Sequence, residues 1–123
     1  MAKTRKEIIP RRGEVYLANF DPAVGSEIRK TRPGLVLQND IANRKSPVTI
    51  MAAISTKFSE SLYPTEVLIS PPEGGLRKPC VTLLNQIRTV DKKRLIKKLG
   101  TVRLETMRKI NRALAVSLGL IEI

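Results

Sequence analysis

Three polar stretches of the 123-residue chain carry the side chains suited to chemistry, and each offers groups that grip anions. The first, DPAVGSEIRKTRPG at 21–34, holds Ser26, Glu27, Arg29, Lys30 and Arg32. A guanidinium presents parallel N–H donors to two oxygens of one phosphate and stays charged at any working pH. Arg32 precedes Pro33, which biases its backbone to extended geometry and restricts where that fork points. A solvated surface arginine is the competing reading. The second stretch, STKFSESLYP at 55–64, sets two hydroxyls, Ser55 and Thr56, beside Lys57, with Phe58 and Tyr63 near. Aromatic rings next to a cation can stack unpaired bases, although packing is the commoner use of such rings. In the third, NQIRTVD at 85–91, the amides of Asn85 and Gln86 precede Ile87 and Arg88. Arg88 could equally pair with a carboxylate or cap a loop.

What is missing narrows the chemistry further. Histidine is absent, which removes the commonest general base, the commonest zinc ligand and every Ser-His or Cys-His nucleophile mechanism. No D-x-D type of carboxylate cluster occurs, so a two-metal nuclease is disfavoured, and no metal or other cofactor is expected. The single cysteine, Cys80, cannot form an internal disulfide and reads as a small buried apolar residue in a reducing, cytoplasmic compartment.

These loops must be held by a framework, and the hydropathy pattern supplies one. From Gly13 to about Val90, short β-branched runs are broken by Pro, Gly, Asn and Asp: 14–20, 34–39, 48–54, 65–69 and 81–90. Five or more strands in under eighty residues imply a small, strongly curved sheet or barrel. Asp91 reads as the N-cap of a short helix, KKRLIKK, closed by Gly100, whose lysines would form a solvated face. Leu104, Met107, Ile110, Leu114 and Leu118 then recur at steps of three and four, one face of a final amphipathic helix ending near Gly119 that would cover the sheet. Residues 1–123 thus read as one domain, mainly β with a C-terminal α-helix, and 1–10 as a flexible extension whose cations could touch a polyanion.

The charge balance points the same way as the loops. Twenty-three Lys and Arg against 11 Asp and Glu leave a net charge of +12, spread through both halves of the chain. Such an excess gains counterion-release entropy on phosphates and suggests a polyanionic partner, with a generally cationic soluble surface as the alternative. No run approaches a membrane span, and the first ten residues lack the apolar core of a secretory signal.

The motifs R-G-E-V-Y, R-P-x-L-V-x-Q-N-D and Q-I-R-T-V-D occur together from RRGEVYLANFDPAVGSE through TRPGLVLQNDIANR, AAIST and PTEV to LLNQIRTVDKKRL. In this combination the chain resembles the MazF/PemK family of bacterial toxins over nearly its whole length after Ile9. The resemblance implies a small SH3-like barrel of the CcdB/MazF-like type with a terminal helix, and a symmetric homodimer. It also implies metal-independent endoribonuclease activity on single-stranded RNA, chiefly mRNA, and a cognate antitoxin whose acidic, apolar tail occupies the RNA groove. Arg32 falls on the family's catalytic arginine, and Ser55 on a hydroxyl position that is usually threonine. Asn85 falls where many relatives carry Glu or Asp before the Gln, and an amide cannot act as a base there.

RNA cleaves itself when a 2′-OH attacks the adjacent phosphorus, so a protein need only align the backbone and stabilise charge on the phosphorane oxygens. Arg32 suits the second task, and Ser55 would orient the scissile phosphate. Glu27 is the one carboxylate nominated to receive the 2′-OH proton, a plain salt bridge to Arg29 or Lys30 being its commoner fate. Ser26, Glu27, Thr56, Lys57, Phe58, Tyr63, Asn85, Gln86 and Arg88 are the expected RNA contacts. Two rivals stand beside this reading: a CcdB-like toxin that inhibits a protein target such as gyrase and cuts nothing, and a non-catalytic RNA-binding module.

Overall fold

A computed structural model describes residues 7–123. β1 (Glu14–Asn19), β2 (Thr31–Val36), β3 (Val48–Ser55), β4 (Glu66–Ile69), β5 (Cys80–Asp91) and β6 (Leu95–Thr101) form one sheet in the order β4-β5-β3-β2-β1-β6, every neighbouring pair antiparallel. α1 (Asp40–Lys45) connects β2 to β3, and α2 (Leu104–Ser117) follows β6. Strand alternation gives the curled sheet two apolar faces. Val15, Leu35, Ala52 and Ile54 turn one way and pack with Met107, Ile110 and Ala113 of α2. Tyr16, Ala18, Val36 and Met51 turn the other way and pack with Phe20, Val90 and Leu95, under the partly buried Ile8 and Ile28.

The two outer strands are brought together by a 3₁₀ turn, Glu73–Gly75, that follows β4 and packs on β6. Backbone meets backbone there. A Cβ on Gly75 would lie 1.9 Å from the Leu99 carbonyl oxygen, and one on Gly100 2.5 Å from the Gly74 carbonyl carbon. Glu73 latches the seam by accepting from the Arg103 amide at 2.9 Å and from its Nη2 at 3.2 Å. Burial opposes ionisation of Glu73, but hydrogen bonds from Thr106 and Arg103 outweigh it and hold the carboxyl below the usual range. Arg12 provides a second fastening. Its amide reaches Asp40 Oδ1 at 2.7 Å, its Nε the Leu37 carbonyl at 2.8 Å and its Nη2 Asn111 Oδ1 at 2.6 Å, joining both helices to the end of β2. The Arg12 amide is also the main cause that keeps the Asp40 carboxyl below its ordinary value.

Several sequence-based expectations shift. β2 runs over Thr31–Val36 instead of 34–39, because β1 pairs with it back to Asn19↔Thr31, and Arg32 therefore sits within a strand. Residues after Val36 leave the ladder, and Asn39 caps the unexpected α1 by accepting from the Ala42 amide at 2.9 Å. KKRLIKK is not a helix. Asp91 does cap, accepting from the Lys93 amide at 2.8 Å, but only a single 3₁₀ turn, Lys92–Arg94, follows. Residues 95–101 are instead recruited as β6 by the open edge of β1, with Leu17 opposite Lys97 and Glu14 opposite Thr101. Tertiary pairing overrides a local helix preference. Lys92 is correspondingly buried, 3.7 Å from Glu7, and Lys98 pairs with Glu14 at 2.8 Å. On α2 the buried stripe is Thr106, Met107, Ile110 and Ala113, while Leu104 and Leu118 at the two ends are exposed.

Cys80 is a buried free thiol, and burial pushes its pKa up. Of the expected flexible extension, residues 1–6 with their cations lie outside the described residues, whereas Ile8 packs on the sheet and Pro10 is buried. Among the described residues, no helix is long and apolar enough to cross a membrane.

Candidate active site

The two central candidates, Arg32 and Ser55, lie on the adjacent strands β2 and β3. Gly34 pairs with Ala53 and Val36 with Met51, and Arg32 and Ser55 each lie two residues beyond the Gly34–Ala53 pair that ends this ladder. Alternation places both on the face that α2 leaves uncovered. Ser55 ends β3 and is buried. Its Oγ accepts from the Lys57 amide at 3.1 Å, which orients the hydroxyl and leaves its proton to be donated. Arg32 donates Nε–H to the Arg29 carbonyl at 2.9 Å. That bond commits one edge of the guanidinium to the protein and leaves the Nη groups for a ligand.

Arg29 belongs to the β1–β2 loop, residues 20–30, which is closed upon itself. Phe20 N donates to Lys30 O at 2.8 Å, and Lys30 N, at a left-handed φ of +68°, donates to Asp21 Oδ1 at 2.8 Å. Glu27 Oε1 accepts from the Val24 amide at 2.6 Å, and neither ion pair suggested by the sequence, to Arg29 or to Lys30, forms. Side chains of β5 and of the 3₁₀ turn after it hold the loop at three points. Arg88 Nη1 donates to the Phe20 carbonyl at 2.8 Å, and its guanidinium lies 5.9 Å from the centre of the Phe20 ring. Arg94 Nη1 reaches the Asn19 carbonyl at 3.2 Å and also the Asp21 carbonyl. Gln86 Oε1 accepts from the Ile28 amide at 2.9 Å while its Nε2 donates to the Ser26 carbonyl at 3.0 Å. Gly34 makes room for this arrangement: a Cβ there would meet Met51 Cε at 2.8 Å and Phe20 Cζ at 3.0 Å.

Gln86 reaches the loop because β5 is interrupted. Its register with β3 jumps from Ala52↔Ile87 to Ala53↔Leu83, which leaves Leu84, Asn85 and Gln86 as extra residues. Leu84 enters the core, its amide bonded to the Thr65 carbonyl at 2.9 Å, while Asn85 is exposed. Asn85 and Gln86 line a groove with Tyr63, Glu66, Leu83 and Ile123. Tyr63 exposes 71% of its surface, available for stacking, and its amide is pinned to Glu66 Oε1 at 2.8 Å. Thr56, Lys57 and Phe58 follow Ser55 on an exposed segment leading to Tyr63.

The expected residues therefore divide. Arg32 and Ser55 face one surface, and Tyr63, Asn85 and Gln86 share one groove. Arg88 is turned to the loop instead of the groove. Arg94, absent from the sequence-based candidates, shares that task, and nothing in its lysine-rich context signals it. Among the described residues, no three His, Cys, Asp or Glu side chains are grouped to hold a metal ion.

A family model described as PemK-like, MazF-like toxin of type II toxin-antitoxin system matches residues 11–118. Endoribonuclease EndoA of Bacillus subtilis is 46% identical over 115 residues, which are 94% of this chain and 99% of that protein. An endoribonuclease from Mycobacterial species, solved in complex with its cognate antitoxin, superposes with a TM-score of 0.74 at 29% identity, covering 93% of this chain and 99% of its own. MazF from Deinococcus radiodurans shares the fold with a TM-score of 0.79 at 24% identity over 92% of this chain and 99% of its own.

Proposed function

Because the chain belongs to the PemK-like, MazF-like toxins of type II toxin-antitoxin systems, we propose that it cleaves single-stranded mRNA, at sites set by sequence, by attack of a 2′-OH on the adjacent phosphate. Endoribonuclease activity and a cognate antitoxin come with that membership. What supports the mechanism is that Arg32 and Ser55 lie on neighbouring strands and, by alternation, on the same face of the sheet, with Arg32 Nε anchored and its Nη donors unspent.

The Nη pair meets two non-bridging oxygens as the phosphorane develops, and the Ser55 hydroxyl donates a hydrogen bond to the same phosphate. Glu27 uses Oε1 within the loop, and its other oxygen takes the 2′-OH proton. The 2′ oxygen bonds phosphorus, the bond to the 5′ oxygen breaks, and that oxygen takes a proton from a water whose hydroxide recovers the proton held by Glu27. A 2′,3′-cyclic phosphate remains on the upstream fragment. Tyr63 and Asn85 contact flanking nucleotides in the groove. The working form is a cytoplasmic homodimer, whose contact surface would cover apolar residues left bare on one chain, such as Leu118, Leu120 and Ile121.

The test is incubation of the pure protein with a labelled unstructured RNA in EDTA. Defined fragments ending in cyclic phosphate are expected, and an all-deoxy analogue stays intact. Intact RNA would refute the reading and return the protein-directed poison and the passive binder to consideration. Light scattering at micromolar concentration should give twice the mass of one chain.

A further inference from the structure

Gln86 stands outside the chemistry yet touches the element that carries it. Its amide grips two backbone groups of the β1–β2 loop, the Ile28 N–H and the Ser26 carbonyl. One residue beyond Ile28, the Arg29 carbonyl accepts the Nε–H of Arg32. A continuous chain of hydrogen bonds and one peptide unit thus runs from the β5 bulge to the guanidinium. We propose that Gln86 is a positioning residue for cleavage: it fixes the loop so that the Arg29 carbonyl holds Arg32 with its Nη donors turned to the phosphate. This rests on Arg32 being the phosphate-directed group.

The side chain is suited to the task because an amide donates and accepts at once, and the two loop groups need one of each. It also has a fixed origin. The bulge is anchored two residues before Gln86 by Leu84, which is buried in the core and bonded to Thr65. The loop needs such an anchor, since Ile28 is only partly buried and most other bonds within it are made by its own residues.

Gln86→Ala removes both bonds, and Gln86→Glu provides the decisive control. When protonated, the new carboxyl accepts from Ile28 and donates to Ser26 as the amide does; when ionised, it confronts the Ser26 carbonyl with a negative oxygen. Three readouts decide the matter: single-turnover cleavage at saturating RNA, affinity for an RNA lacking the scissile 2′-OH, and the ¹⁵N resonance of Arg32 Nε–H. Gln86→Ala should cleave about 100-fold more slowly, the cost of a small misplacement of a reacting group. Its RNA affinity should stay within about twofold, because affinity rests on many dispersed cations. The Arg32 Nε–H resonance should move to the position of the protein's solvated arginines.

For Gln86→Glu, the rate relative to wild type should rise about tenfold or more as pH falls from 7.5 to 4.5, while the Gln86→Ala ratio stays flat. A Gln86→Ala rate within threefold of wild type, affinity falling in step with rate, or a flat Gln86→Glu ratio would each overturn the assignment. Should the wild type cut no RNA, the mechanism fails, and the Arg32 resonance still shows whether Gln86 holds that side chain.

Discussion

A lysine in place of Arg32 would keep the charge and lose the fork. Because Arg32 spends Nε on the Arg29 carbonyl and reserves its Nη groups, Arg32→Lys should be nearly as inactive as Arg32→Ala, about 100-fold to 1,000-fold down in single-turnover rate. RNA affinity should barely change for the lysine variant, since one charge is exchanged for another in a chain of net +12. A lysine variant that keeps most of the rate would reduce Arg32 to a point charge. Arg32 and Ser55 stood out in the sequence because residue type, local context and family motif coincide on them, and the structure sets them on adjacent strands. Gln86 and Arg88 were expected as RNA contacts, whereas in the structure both bond the β1–β2 loop. Their partners, Ser26, Ile28 and Phe20, lie about sixty residues away, and which partner each takes depends on a bulge that hydropathy does not encode.

Elements are positioned by a seam whose chemistry is mostly the absence of side chains. Gly75 sits at φ +71°, where a Cβ would overlap the Leu99 carbonyl, so Gly75→Ala should cost about 3 kcal/mol or more in urea unfolding. Gly25 is the control: its φ is also positive, at +58°, but nothing lies within 4 Å, and Gly25→Ala should cost only about 1–2 kcal/mol. Glu73 adds a pH dependence to the same seam. Its folded pKa is lowered, so its contribution is present above the unfolded carboxylate value of about 4.3 and is lost as pH falls through the folded one. Urea unfolding should therefore show Glu73→Gln less stable than wild type at pH 7, with the gap closing below about pH 4. A gap independent of pH would mean that Glu73 acts by shape alone.

Most strands could be read from alternation, since β1, β3 and β5 are long enough to declare themselves. β6 could not. Its lysine-rich sequence favours a helix locally, and only the free edge of β1, some eighty residues earlier, makes it a strand. α1 escaped for the opposite reason: six residues are too few to establish a period, although Asn39 was already in place as its cap.

At the scale of the molecule, charge governs encounter more than chemistry. With a net charge of +12, affinity for a cleavage-resistant RNA should fall steeply between 50 and 200 mM salt, and the log–log slope should count the phosphates neutralised. The single-turnover rate at saturating RNA should change far less, because bound Arg32 and Ser55 are already in place. A groove and loop that accept a phosphate chain also accept an acidic peptide. Purified cognate antitoxin should therefore raise the RNA concentration needed for half-maximal cleavage without lowering the rate at saturation. An antitoxin that binds and leaves that concentration unchanged would place the two partners on separate surfaces.

The pairing of the first strand with the last also has a consequence in time. β1 leaves the ribosome early, yet its outer neighbour β6 is translated only after every other strand. Until then the edge of β1 is bare and the closing seam has one side missing. The nascent chain thus cannot complete its barrel in the order in which it is made, and refolding of the whole domain should take milliseconds to seconds, the pace of non-local β topologies. The loop that holds Arg32 is likewise fastened late in synthesis, because Arg88 and Arg94, which bond its backbone, come from the later part of the chain.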